Sequence, residues 1–117
     1  MLQRYDIARN DQTNRLSIKV FAVLEKKHRA RANNKLVQKD YMFIHEVSYN
    51  GDTIRAAIKE GPKALIGELR SYDFYPIESF ANILAEKVAG VFNGNTKPIS
   101  EIFFDDRALL PEVFENN

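Results

Sequence analysis

The chain has 117 residues, of which 44% are hydrophobic and 28% charged, and a formal net charge of +1. That length and balance fit one domain spanning residues 1–117, and thirteen aromatics (eight Phe, five Tyr) exclude disorder throughout. Cysteine is absent, which excludes disulfides, thiolate metal sites and Cys nucleophiles and suits a reducing cytoplasm.

The modest net charge conceals an asymmetry. Residues 1–39 hold ten Lys/Arg and three Asp/Glu, whereas residues 40–117 hold seven and thirteen. Such a split marks a surface for nucleic acid or a partner, or two halves that attract each other. Met1 to Asn14 is polar and lacks the apolar core of a secretory signal. No apolar run approaches the roughly 18 residues of a membrane span, so no membrane partner is expected.

Tyr5 to Arg9 reads as a short strand turning at Asn10-Asp11. In Arg15 to Glu25, Leu16, Ile18, Val20, Ala22 and Leu24 recur with the period of a strand. A helix competes there, because Leu16, Val20, Val23 and Leu24 also share a helical face. The segment 26–39, KKHRARANNKLVQK, holds six cations and no acid, with a turn signal at Asn33-Asn34. It reads as a long, exposed basic loop, a length that goes with function or mobility.

Tyr41 to Tyr49 is the clearest strand, with Tyr41, Phe43, His45, Val47 and Tyr49 expected on one face and Met42, Ile44, Glu46 and Ser48 on the other. After Asn50-Gly51, a hairpin to a strand over Thr53–Lys59 is one continuation. The preferred one is a helix over about 53–72, capped by Asp52 and kinked or broken at Pro62, which has no N–H to offer the carbonyl of Ile58. Pro76 is placed in the first turn of a second helix, about 76–92. Its apolar stripe is Ile77, Phe80, Ala81, Leu84, Val88, Val91 and Phe92, and Asn93-Gly94 stops it. Ile99 to Phe104 reads as a strand, Asp105 to Phe114 as a helical turn, and 111–117 as a frayed tail. The expected fold is α+β: a small, largely antiparallel sheet of three to four strands with two amphipathic helices on one face.

No motif points to catalysis, a cofactor or a metal. The nucleotide-binding glycine spacings and the nucleophile elbow are missing. His45 stands on an apolar strand face with no partner positioned for acid–base work, and it reads as a satisfied core or rim histidine. His28 lies within the basic run and faces solvent. Asp105, Asp106 and Glu101 resemble a carboxylate cluster, but neighbours on a strand point apart.

Two features suit binding. Lys26, Lys27, Arg29, Arg31, Lys35 and Lys39 could contact phosphates or an acidic protein surface. Tyr72, Phe74 and Tyr75, in an aromatic corner that extends to Phe80, either seal the core or serve as interface anchors. The leading expectation is a non-enzymatic interaction module whose partner is a protein or a second copy of the chain. Nucleic acid gripped through residues 26–39 is the alternative, and a ligand pocket near His45 and Tyr49 is the weaker one.

Overall fold

The structure, a computed structural model, describes residues 2–29, 35–70, 74–93 and 98–105, with 25–29 and 35–38 described by their backbone. In chain order the elements are β1 (Leu2–Asn10), β2 (Arg15–Arg29), β3 (Lys35–Asn50), α1 (Gly51–Glu60), α2 (Pro62–Leu69), α3 (Glu78–Phe92) and β4 (Ile99–Asp105). The four strands form one sheet in the order β3-β2-β1-β4, and every pairing is antiparallel. The helices cover one face, which gives the expected α+β architecture.

Period-two alternation places Leu16, Ile18, Val20 and Ala22 of β2 on the covered face, beside Tyr5 and Ile7 of β1. Residues 15–25 are therefore strand. The helices meet them with Ile54 and Leu69 of α1 and α2 and with Phe80, Leu84, Val88 and Val91 of α3, all fully buried or nearly so. Each such side chain contributes about 1.5–3 kcal/mol by leaving water. Phe80 joins the layers: its ring lies 4.5 Å from that of Tyr5 and stacks at 4.2 Å on Phe104 of β4.

Local chemistry sets the ends of the elements. Asn10 Oδ1 accepts hydrogen bonds from the backbone of Gln12 and Thr13 and folds the β1–β2 turn. Asn50, rather than Asp52, caps α1: its Oδ1 accepts from the backbone N–H groups of Asp52 (2.8 Å) and Thr53 (3.3 Å). The residue at N2 cannot cap its own helix, but Asp52 still stands in the first turn. The segment around Pro62 forms two helices. Gly61, at φ 136° and ψ 174°, separates them in a conformation open to glycine alone, and Pro62 starts α2 where no N–H is needed. The third helix begins at Glu78, so Pro76 precedes it, and extended Ile77 is the capping residue and partly exposed. Arg9 holds the other end of α3, where its guanidinium donates to the Val91 carbonyl, one of the acceptors that a helix leaves unsatisfied. Arg9 Nε also lies 3.0 Å from Asp11 Oδ1, an ion pair without hydrogen-bond alignment.

Two strands exceed their expected length. Residues 26–29 and 35–39 are not loop: Lys26 pairs with Gln38, Lys27 with Val37, His28 with Leu36 and Arg29 with Lys35. Cationic side chains can line a solvated strand as readily as a loop, so composition does not distinguish the two. Asp105, the first residue of the helical turn expected over Asp105 to Phe114, ends β4, and the rest of that turn, Asn33-Asn34 and the tail 111–117 lie outside the described residues.

Candidate binding surface

Pairing of β1 with β2 is described as far as Gln3 opposite Ala22, whereas β2 and β3 continue together to Arg29 opposite Lys35. The two long strands thus run past the rest of the sheet as a two-stranded arm. By sequence the arm holds Lys26, Lys27, Arg29, Lys35 and Lys39 against two acids, Glu25 and Asp40. Arg31 lies outside the described residues.

At the root of the arm, β3 departs from regular alternation. Val20 pairs with His45 but Phe21 pairs with Phe43, which leaves Ile44 as an extra residue, a β-bulge. The expected face of five residues is therefore split. His45, Val47 and Tyr49 turn toward the helices, whereas Tyr41 and Phe43 share the helix-free face with Glu46 and Ser48. Tyr41 and Phe43 are 42% and 56% exposed. Leu24, Met42 and Ile44 are also exposed, so the edge strand β3 has apolar side chains on both faces at this level.

The helix-free face gathers aromatics and cations from all four strands. Phe21 of β2 meets Phe43 edge-on, with centroids 5.8 Å apart. Arg4 of β1 lies 4.7 Å over the Tyr41 ring, and Lys39 Nζ lies 5.7 Å from the centre of Phe103 on β4. Lys39 and Phe103 sit on opposite edges of the sheet, and their contact follows from a curl of the sheet toward this face. Val23 lies on the floor of this concavity, only 8% exposed although none of the described helices covers it. Phe103, at the rim, is 45% exposed.

The electrostatics of the face are ordered. Arg4 bonds Asp6 Oδ1 at 2.7 Å and Glu101 Oε2 at 2.9 Å. Its pKa is held above the ordinary arginine value, chiefly by the Asp6 hydrogen bond and further by both carboxylates. Lys19 stands opposite Glu46 in the register, and Arg15 Nε donates to Ser48 Oγ at 3.0 Å. Cations and carboxylates thus alternate on the body of the face, and the cationic excess belongs to the arm. Farther along the same face, Asn10, Arg15, Ser17, Glu46, Ser48 and Ile99 help line a shallow depression of about 520 Å³.

The aromatic corner does not act as a unit. Phe74 is buried against Tyr5, with centroids 6.3 Å apart, and serves the core rather than an interface. Tyr75 is 70% exposed, and Tyr72 lies outside the described residues. The signal for the exposed aromatics was the run Tyr41-Met42-Phe43-Ile44, four apolar residues that no regular strand can place on a single face.

The readings that involve catalysis gain no geometry. Tyr49 donates its hydroxyl to the Leu69 carbonyl at 2.7 Å inside the core, and His45 Nε2 is buried with no hydrogen-bond partner among the described residues. An apolar groove of about 330 Å³ between the helices is lined by Ile58, Leu65, Ile66 and Ala85 among others, with Asn82 and Glu86 as its polar side chains. Neither His45 nor Tyr49 lines it. Among the described residues no three His, Asp or Glu side chains are placed to hold a metal, and no helix is long and apolar enough to cross a membrane. Asp106 lies outside the described residues, and Glu101 is engaged by Arg4. No protein-family model, curated protein or solved structure matches this chain.

Proposed function

We propose that this chain is a non-enzymatic binding module of the cytoplasm, which docks its partner on the helix-free face of the sheet and on the basic arm that continues it. The observation that carries the reading is the exposure of Tyr41, Phe43 and Phe103 on a sheet face that none of the described helices covers. Folding gains little from aromatic rings left in water, whereas aromatics are enriched at the centres of interfaces. The lack of cysteine agrees with a reducing compartment. The exposed apolar side chains at 41–44 are also a surface against which a second copy could pack, so a homodimer is a form that such a module could take.

The test asks whether these rings serve folding or contact. Replacing both Tyr41 and Phe43 with Thr keeps β-propensity and removes the rings. The reading expects a stability loss of about 1–3 kcal/mol for the double variant, because each ring is about half-buried and makes one aromatic or cation–π contact. Truncating buried aromatics would remove about 3–5 kcal/mol each. A loss on that larger scale, measured by urea denaturation, places the rings in a core and ends the binding-face reading.

A further inference from the structure

We propose that the partner is a single-stranded nucleic acid, its bases stacked on Tyr41, Phe43 and Phe103 and its phosphates held by the cations of the arm. This rests on the binding-face reading above and adds the chemistry of the occupant.

The first argument is the pairing of ring faces with positive charge. Binding of single strands without sequence readout needs flat aromatic platforms beside a cationic track, because every base has a π-face and every nucleotide a phosphate. Here Arg4 lies over Tyr41 and Lys39 over Phe103, so a cation stands at two of the three rings, and a base would stack on the ring's other face or displace that cation. The arm extends from the same place. Its paired strands carry Lys26, Lys27, Arg29 and Lys35, and Lys39 marks its junction with the aromatic face.

The second argument is charge complementarity. The body of the face balances its cations with Asp6, Glu46 and Glu101, so the excess that selects a partner lies in the arm and calls for a polyanion. A second copy fits this less well. In a two-fold interface the same patch meets itself, and arms that crossed at the axis would set like charges against each other. Duplex is disfavoured because its bases are stacked on one another and offer no free faces to the rings.

The third argument is shape. The sheet curls so that Lys39 and Phe103, from opposite edges, approach across a floor formed by Val23. A single strand would enter this concavity by displacing Lys39 from Phe103. The shallow depression beside Arg15 and Ser48 extends the same track toward the other end of β2 and β3.

The experiment is fluorescence anisotropy of the full chain with labelled 20-nucleotide oligothymidylate and oligouridylate, with duplex of the same length, and with polyglutamate as competitor. The proposal expects single strands to bind at about 50 mM salt. If four arm cations neutralise phosphates, affinity should fall about 50-fold by 200 mM. The Tyr41→Thr/Phe43→Thr variant should lose about 10- to 100-fold in affinity at an unchanged salt slope, since stacking contributes without releasing counterions. Lys26→Glu/Lys27→Glu should weaken binding and flatten the slope.

Absence of binding to single strands at 50 mM salt overturns the proposal. So does equal binding of duplex or polyglutamate with no effect of the ring substitutions, which would leave the arm as a general anion contact. If nucleic acid fails while sedimentation shows a doubled mass that the ring substitutions abolish, the occupant is a second copy. The nucleic-acid proposal then falls and the binding-face reading stands. A large loss of stability in the ring variant overturns both.

Discussion

Substituting Tyr49 with Phe tests how the long edge strand is tied to the helix layer. The Tyr49 hydroxyl donates to the Leu69 carbonyl at 2.7 Å, and both residues are fully buried. Leu69 is the last residue of α2, and the chain leaves the helix at Arg70, so this carbonyl is one of those that a helix end leaves without an intrahelical donor. Phenylalanine preserves the ring packing and removes only the donor. The expected loss is then the desolvation of an unsatisfied buried carbonyl, about 1–3 kcal/mol, rather than the smaller net value of an average hydrogen bond. At about 2 kcal/mol, a domain of this size should melt roughly 8 °C lower. Urea denaturation followed by far-ultraviolet circular dichroism measures the loss, and an unchanged m-value confirms that the denatured state is unaffected. Tyr75→Phe, at an exposed hydroxyl, is the control and should stay within about 0.5 kcal/mol. If Tyr49→Phe is equally silent, the carbonyl has another donor and the assignment of this bond as the tie between β3 and α2 is wrong.

Two further predictions address the backbone. Gly51 and Gly67 are both helical, yet alanine should act on them with opposite signs. A Cβ at Gly51 would approach Asn14 Oδ1 to 2.3 Å and the Asn14 backbone oxygen to 2.9 Å, while Arg55 holds that side chain at 2.7 Å, so Gly51→Ala should lose about 1–3 kcal/mol. A Cβ at Gly67 meets nothing within 4 Å, so Gly67→Ala should gain about 0.5–1 kcal/mol, and equal signs in thermal melts would contradict this placement. Deleting Ile44 removes the residue that β2 leaves unpaired and should give a folded protein melting within a few degrees of the parent. Deleting Val47 instead inverts the faces of everything before it in β3 and should leave no cooperative transition. The reverse ranking would show that the bulge is not at Ile44.

Most of the architecture was legible because its signals are local. In α3 the recurrence of Phe80, Leu84, Val88 and Val91 at helical spacing defines the buried stripe, and in β2 the alternation from Leu16 to Ala22 defines the covered face. Pro62 announced the break between α1 and α2 because its missing N–H acts wherever the chain goes. The ends were less legible. Asp52 and Asn50 are both competent caps, and the choice between them depends on one φ/ψ pair that composition does not encode. The arm was misread for a related reason: Lys26 to Arg29 carry no apolar alternation, so the pairing of 26–29 with 35–38 left no periodic signal to read.

The candidate site was the least legible part, and the reason is mechanical. Alternation assigns a face only while a strand stays in phase, and one extra residue reverses the assignment for everything beyond it. Ile44 does this to Tyr41 and Phe43, which alternation from His45, Val47 and Tyr49 places in the core and the structure places in water. The same bulge bends the edge strand, and extra twist at an edge hinders continued pairing with another sheet. A chain selected only for stability would gain by keeping β3 in phase and burying both rings. That it instead carries a bulge, two exposed rings and a cationic extension of the same strand is the pattern that the proposed binding face expects.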